Sequence, residues 1–487
     1  MINNYQDLAH ALMPETALVF GALVVLAFDL VAGRKLTPDA RVRANSVIAI
    51  LALLSALTGA LAAGVVGPVF GGVLMLDTLA LASRLGVLAL ALLTVTIATG
   101  ARRQQQPAEF LALVLFATAG FTLMAAAQQL LLVFLAIELA SISLYVLTGF
   151  DKSRPESAEA GLKYFLFGGM SAAFLLFGFS LIYGLTNSID LADIAAQLAV
   201  HGLSPLLIVA LVMILVAFGF KSAAAPFHLW APDVYEGAPT TSAALIASAS
   251  KLAGFTVFLR LLWPGLGGVG GSASTAQLVP GWIPVVAMIS AASLLLGNIG
   301  ALAQTNLRRL LAYSAIAHAG AMLLGVIASR ATPGPLYFYV ATYGLATVGA
   351  FGVIAIIERT TACRQISDLA GLHRRSPLLA ACLLIFILSL AGVPPLAGFF
   401  GKFTVFAAAL QLGGLAGPVG WLTVLAIFLS AVALYYYLII LKQALVAAPA
   451  TDDAPLRTPP VAGFALVVTA ALLVLFGVAP SLLLGLF

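Results

Sequence analysis

Charge is what this sequence has least of. Only 8% of its 487 residues are Asp, Glu, Lys or Arg, where a soluble domain carries about 25%. A water-soluble fold is excluded. Cysteine is nearly absent: Cys363 and Cys382 lie far apart and form no CxxC pair. That argues against an iron–sulfur centre, a structural zinc site or a disulfide framework. A phosphate cradle is missing as well, since no helix opening on Lys-Ser/Thr follows the Gly-rich stretch GLGGVGGSAS (265–274). The opening stretch MINNYQDLAHALMPE has no basic segment ahead of an apolar one, so a cleaved signal peptide is not expected. The net charge of +5 is no sign of nucleic-acid affinity, because most Lys and Arg fall in short loops, where they set membrane topology.

What is present is apolar, 62% of the residues. Stretches long enough to cross a bilayer, about 20 residues as helix, predict an all-α polytopic membrane protein with about fourteen spans. They fall near 12–32, 45–66, 78–100, 108–127, 130–150, 157–185, 204–228, 240–263, 282–304, 307–329, 335–358, 377–409, 418–446 and 460–486. The split between the fourth and fifth rests on the polar pair Gln128-Gln129.

Alternate connections test this reading. One set holds Arg34, Lys35, Arg41 and Arg43; Arg102 and Arg103; Lys152 and Arg154; Arg308 and Arg309; Arg359, Arg364, Arg374 and Arg375; Lys442 and Arg457. The other holds Arg330, with Arg84 and Arg260 near helix ends. The basic set faces the cytoplasm by the positive-inside rule, which puts both termini on the opposite side. The Ala- and Leu-rich composition leans towards a bacterial inner membrane, with the termini periplasmic. One inside connection, 229–239, has no Lys or Arg but carries Asp233 and Glu236, and is expected to pack into the protein. Residues 188–201 read as a short amphipathic helix on the outer surface. The Pro-rich inside loop 447–460 carries no chemistry we can assign.

Ionisable residues inside the apolar spans are costly and tend to mark ion pathways. Glu138, Lys221, Lys251 and Lys402 are such residues. Lys163, nearer the inside end of its span, is either a further station or a snorkelling lysine. Glu138 is either a proton station or half of a structural ion pair. Pro226, five residues after Lys221, cannot donate to the Ser222 carbonyl, so the helix is expected to break there. The segment LSLAGVPPLAGFFGKF repeats the device with Pro394, Pro395 and Lys402 about five helices later. An odd offset inverts the second copy, a design recurrent in transporters. The units are then 108–263 and 282–446, flanked by a three-helix segment, 1–107, and a C-terminal loop and helix, 447–487. Desolvation disfavours a charged lysine and a nearby carboxylate favours it, so Glu138 would control the charge of Lys221. His228 and His318 are relay candidates between successive lysines; each could equally be a neutral packing histidine.

These residues also carry a resemblance. The run KSAAAPFHLWAPDVYEGAPTTSAALIASASKLAGF, with Glu138 upstream and the Pro-Pro…Gly-Lys segment downstream, resembles the antiporter-like subunits of respiratory complex I. Those are similar to the large subunits of multisubunit sodium/proton antiporters. The resemblance covers about 108–446. It implies fourteen helices with two inverted five-helix repeats, each holding a broken helix. It matches the family's glutamate–lysine pair to Glu138 and Lys221, its central lysine to Lys251 and its last charged residue to Lys402. The chain's length, its lysine at 402 and its ending after the fourteenth span fit one branch of that family. The function implied is proton translocation coupled to quinone reduction in partner subunits. The chain would bind no cofactor, while the complex uses NAD, FMN, iron–sulfur clusters and quinone elsewhere. The partners implied are another antiporter-like subunit, small membrane subunits and lipids, with no nucleic acid. The alternative is a subunit of a cation/proton antiporter with no link to redox.

Overall fold

A computed structural model describes residues 5–101, 106–273, 279–361, 363–415, 417–448 and 455–487. Arg102 and Arg103 of the basic set, residues 449–454 of the Pro-rich loop and the first four residues of the N-terminal stretch lie outside them. Among the described residues, 13 helices are long and apolar enough to cross a membrane. The expected span 377–409 is the remaining crossing, made of two shorter helices, Pro377–Ala391 and Ala397–Gly413. Some helices begin where a polar cap meets a proline. Ser204 accepts from the Leu207 amide at 3.2 Å ahead of Pro205, and Thr37 accepts from Ala40 at 3.4 Å ahead of Pro38. Capping satisfies an amide the helix cannot, and proline costs nothing at a position whose amide is unpaired.

The helices are not equivalent. In Gly334–Ile357 and Thr240–Gly265 the apolar window is 100% buried, and in Leu307–Ala328 it is 94% buried. These form the centre. Met13–Val31, Pro38–Ala63, Pro155–Thr186 and Pro418–Leu445 bury less than half and form the outer rim of the bundle.

The first break comes where Pro226 requires it. Helix Pro205–Ser222 ends as Ala223 turns left-handed, at φ 57°. The orphaned backbone groups find partners: the Ala225 amide donates to Ser293 Oγ at 2.8 Å, and Trp230 Nε1 donates to the Phe220 carbonyl at 3.1 Å. Helix Trp230–Gly237 follows, with Trp230, Val234 and Tyr235 buried, so the acidic connection does pack into the protein. Its acids are paired. Asp233 receives Lys163 at 2.6 Å and Arg309 at 2.7 Å; Glu236 receives Arg309 at 2.9 Å and Asn306 at 2.7 Å. Asp233→Asn removes the charge from the first two contacts. Because these groups are about a third exposed, the expected loss is only about 1 kcal/mol. A thermal melt of the purified assembly checks it, with a small drop expected and no drop counting against the clamp.

Two elements were not expected. Gly67–Val69 and Leu74–Leu76 form a small antiparallel hairpin, turning through Gly71 and Gly72 at φ 69° and 90°. Its backbone also ties down the Gln128-Gln129 corner: Gln128 donates to Val73 at 3.1 Å, and Leu130 donates to Ile189 at 2.8 Å beside helix Leu191–His201. That is how so tight a turn is satisfied. Arg84 and Arg260 are not topology signals. Arg84 is 1% exposed and donates to Glu15 at 2.9 Å and the Ala11 carbonyl at 3.0 Å; Arg260 is bound to Asp77 and the Ala125 carbonyl. Glu15 and Asp29, near the two ends of helix Met13–Val31, are buried as well, Asp29 against Arg41 and Asn45.

Candidate functional site

Lys221 stands in the last turn of helix Pro205–Ser222. Its Nζ donates to Ser141 Oγ at 3.1 Å. Ser141 is three residues after Glu138 on helix Leu130–Thr148, hence on the same face. Glu138, Ser141, Tyr145 and Lys221 line one small cavity. The carboxylate and ammonium are within electrostatic reach of each other without forming a contact ion pair, and the serine hydroxyl stands at the ammonium.

A closed seam lined by Phe218, Gly254, Phe255 and Phe258 runs from Lys221 to Lys251. A side chain added at Gly254 would begin 3.5 Å from the Lys221 Cγ. Lys251 follows a kink. The expected span 240–263 is divided at Ser248, at φ −119° and ψ −83°, into helices Thr240–Ala247 and Ala249–Arg260. Lys251 is 2% exposed; its Nζ donates to the Ala315 carbonyl at 2.5 Å and lies 5.3 Å from the centre of the Tyr343 ring. Among the described residues no carboxylate forms an ion pair with it.

Ala315 and His318 are one turn apart on helix Leu307–Ala328. The His318 Nδ1 meets Tyr339 Oη at 2.7 Å and its Nε2 meets Tyr437 Oη at 3.0 Å. Tyr437 also bonds Ser314, and Tyr343 packs against the imidazole at 4.8 Å. Both ring nitrogens are engaged, and the ring lies within electrostatic reach of both Lys251 and Lys402. Lys402, 8% exposed, folds back to the second break and donates to the Ala391 carbonyl at 3.0 Å. That carbonyl ends helix Pro377–Ala391, where a cation is favoured by the helix dipole. Gly392 makes the turn at φ 85°, and a side chain there would meet Lys402 at 3.0 Å. The two breaks thus use a lysine differently, one ahead of the break and one after it.

The other two candidates stand apart. His228 lies on the first break, 9% exposed, its Nδ1 buried without a hydrogen-bond partner. Lys163 is bound to Glu159 at 2.7 Å and Asp233 at 2.6 Å. Tyr339, Tyr343, Tyr437 and Ser141 are the groups the sequence pattern did not single out. A signal existed: a tyrosine deep in an apolar span needs a partner for its hydroxyl, and Tyr339 and Tyr343 are spaced to share a helix face. Cys363, outside the crossings, is buried, which pushes its thiol well above its usual range.

Fold and site together define a helical membrane protein built around a buried row of ionisable groups. Residues 127–432 match the family described as NADH:quinone oxidoreductase/Mrp antiporter, transmembrane. NADH-quinone oxidoreductase subunit N 2 of Acidobacterium capsulatum is 49% identical, over 99% of this chain and 98% of the relative. A chain of respiratory complex I from Thermus thermophilus with bound aureothin is 36% identical. It superposes with a TM-score of 0.81 over 97% of this chain and 99% of that one. A chain of the Mrp complex from Dietzia sp. superposes at 0.80 over 99% and 96%, but at 20% identity it shows a common fold alone. The chain belongs to the NADH:quinone oxidoreductase/Mrp antiporter transmembrane family, and within it to the subunit N group.

Proposed function

We propose that this chain is a proton-translocating membrane subunit of NADH–quinone oxidoreductase, driven by quinone reduction in partner subunits. It has no redox centre of its own; NAD, FMN, iron–sulfur clusters and quinone belong to those partners. The observation that carries the reading is the row itself. Glu138 and Lys221 face each other at a helix break, Lys251 follows a kink, and Lys402 caps a second break, with His318 in reach of the last two.

Each break frees carbonyls and leaves a place for water to enter. Glu138 favours a charged Lys221 when it is ionised and close. When it is neutralised, burial favours release of the lysine proton. Lys251 then takes the proton across the phenylalanine seam, and His318 hands it on to Lys402 through its tyrosine partners. His228, at the first break, would relay between Lys221 and Lys251, and Lys163 would set the position of helix Trp230–Gly237 through Asp233. The two units, 108–263 and 282–446, are inverted copies, each contributing one broken helix, with 1–107 and 447–487 as flanking segments. The protein lies in a bacterial inner membrane with both termini periplasmic, between another antiporter-like subunit and small membrane subunits.

Glu138→Gln and Lys221→Met in the assembled complex test this. Each is expected to lower NADH-driven proton pumping about tenfold, equivalent to about 1.4 kcal/mol of barrier, while the complex still assembles. Wild-type pumping in either would sink the assigned roles. Sodium efflux that needs neither NADH nor quinone would instead favour the antiporter alternative.

A further inference from the structure

A cleft of about 580 Å³ opens at the inside ends of helices Pro38–Ala63, Pro107–Ala126 and Pro460–Val478. It is separate from the buried row. Its lining is ordered by depth. Arg43 and Arg359 stand at the mouth, both exposed and without an ion-pair partner among the described residues. Asp39 at the same mouth is already engaged. Val47 and Ile50 share the face of Arg43, at about 6 and 10 Å further into the membrane by helix rise. Phe110 and Leu111 face them from the opposing helix, and Val461 closes the side. Val47 and Val461 are more than half exposed, so the cleft opens sideways to the lipid phase as well as to the inside surface.

We propose that this cleft is a binding site for one anionic phospholipid, its phosphate held by Arg43 and Arg359 and an acyl chain laid along Val47, Ile50, Phe110 and Leu111. Charge complementarity selects the headgroup, since basic groups between membrane helices on the cytoplasmic side recognise anionic lipid. The depth order of cation, then apolar wall, matches a phospholipid and not free phosphate, which would leave the apolar part empty. The site also has a bearing on the row. Thr241 lines both this cleft and a neighbouring polar cleft of about 490 Å³ that contains Thr240, Arg308 and Glu358. Thr240 and Thr241 open the helix that leads to the kink at Ser248. A bound headgroup therefore stands beside the start of the helix that leads to Lys251.

The test counts phospholipid retained by the purified complex after detergent delipidation, in wild type, in an Arg43→Ala/Arg359→Ala double variant and in Ile50→Trp. The first variant removes the phosphate partners and leaves the fold's core untouched; the second fills the apolar part. Both are expected to lose a single tightly held anionic lipid. Adding phosphatidylglycerol to delipidated wild type should raise its melting temperature more than phosphatidylcholine or inorganic phosphate does. Equal retention in wild type and both variants overturns the proposal, as does a shift given equally by inorganic phosphate. Crosslinking of a probe at Val47 to a neighbouring subunit in wild-type membranes would show that protein covers the cleft, and also overturns it.

Discussion

Replacing Lys251 by methionine should abolish pumping and leave the protein at least as stable as before. The ammonium is 2% exposed and, among the described residues, is held by the Ala315 carbonyl and the face of Tyr343. Neither is a counter-ion, so the folded state carries the desolvation cost of a charge that nothing nearby repays in full. Methionine fills much the same volume without that cost, and such exchanges of buried charge for apolar side chains are often neutral or stabilising. Stability and activity should therefore move apart. NADH-driven acidification of inverted vesicles should fall by at least about a hundredfold, or 2.7 kcal/mol, while the melting temperature holds or rises. Pumping within a few-fold of wild type would remove Lys251 from the path. A melting temperature well below wild type would mean that the lysine is structural.

Gly398→Ala should collapse the second break. A methyl group there would lie 1.8 Å from the Ser389 carbonyl oxygen and 2.7 Å from its carbon. The obstacle is backbone, not a side chain that can turn aside. The two half-helices would have to separate, losing the bond from the Gly398 amide to Ser389 Oγ and the seat of Lys402 on Ala391. Overpacking typically costs about 1–3 kcal/mol, and a clash with backbone belongs at the upper end. We expect little assembled complex in membranes and a melting temperature several degrees lower in what remains. Gly184→Ala, where nothing lies within 4 Å, is the matched control and should behave as wild type. Normal assembly and pumping in Gly398→Ala would mean that the tight crossing of the half-helices is dispensable.

The parts of the site that were legible in the sequence are those that violate a rule of membrane chemistry. A lysine in an apolar run is visible wherever it falls, and so is a proline with no amide to donate. Lys221, Lys251, Lys402, Pro226 and Pro394-Pro395 were all of that kind. The acidic 229–239 connection was legible for the same reason, since Asp233 and Glu236 had no local cation. What stayed hidden depends on partners distant in sequence. Arg84 looked like an interfacial cation until Glu15, on another helix, proved to be its partner. Ser248 bends its helix without a proline or glycine to announce it. Tyr339 and Tyr437 read as apolar filler, because only the assembled bundle brings both hydroxyls to His318.

The row has an electrical consequence. Counted at 1.5 Å per residue, Lys251 lies about 17 Å from Thr240, where its helix pair begins. The Ala391 carbonyl that holds Lys402 lies about 21 Å from Pro377. With both starts on one face, as in the proposed topology, Lys251 and the seat of Lys402 lie at similar depth, and on the proposed path a proton passing between them moves mainly along the bilayer plane. Moving a unit charge fully across a membrane costs about 2.3 kcal/mol per 100 mV, but a sideways step crosses almost none of that field. The lateral transfers should run at the same rate in energised and de-energised vesicles, leaving the membrane potential to act only on uptake and release.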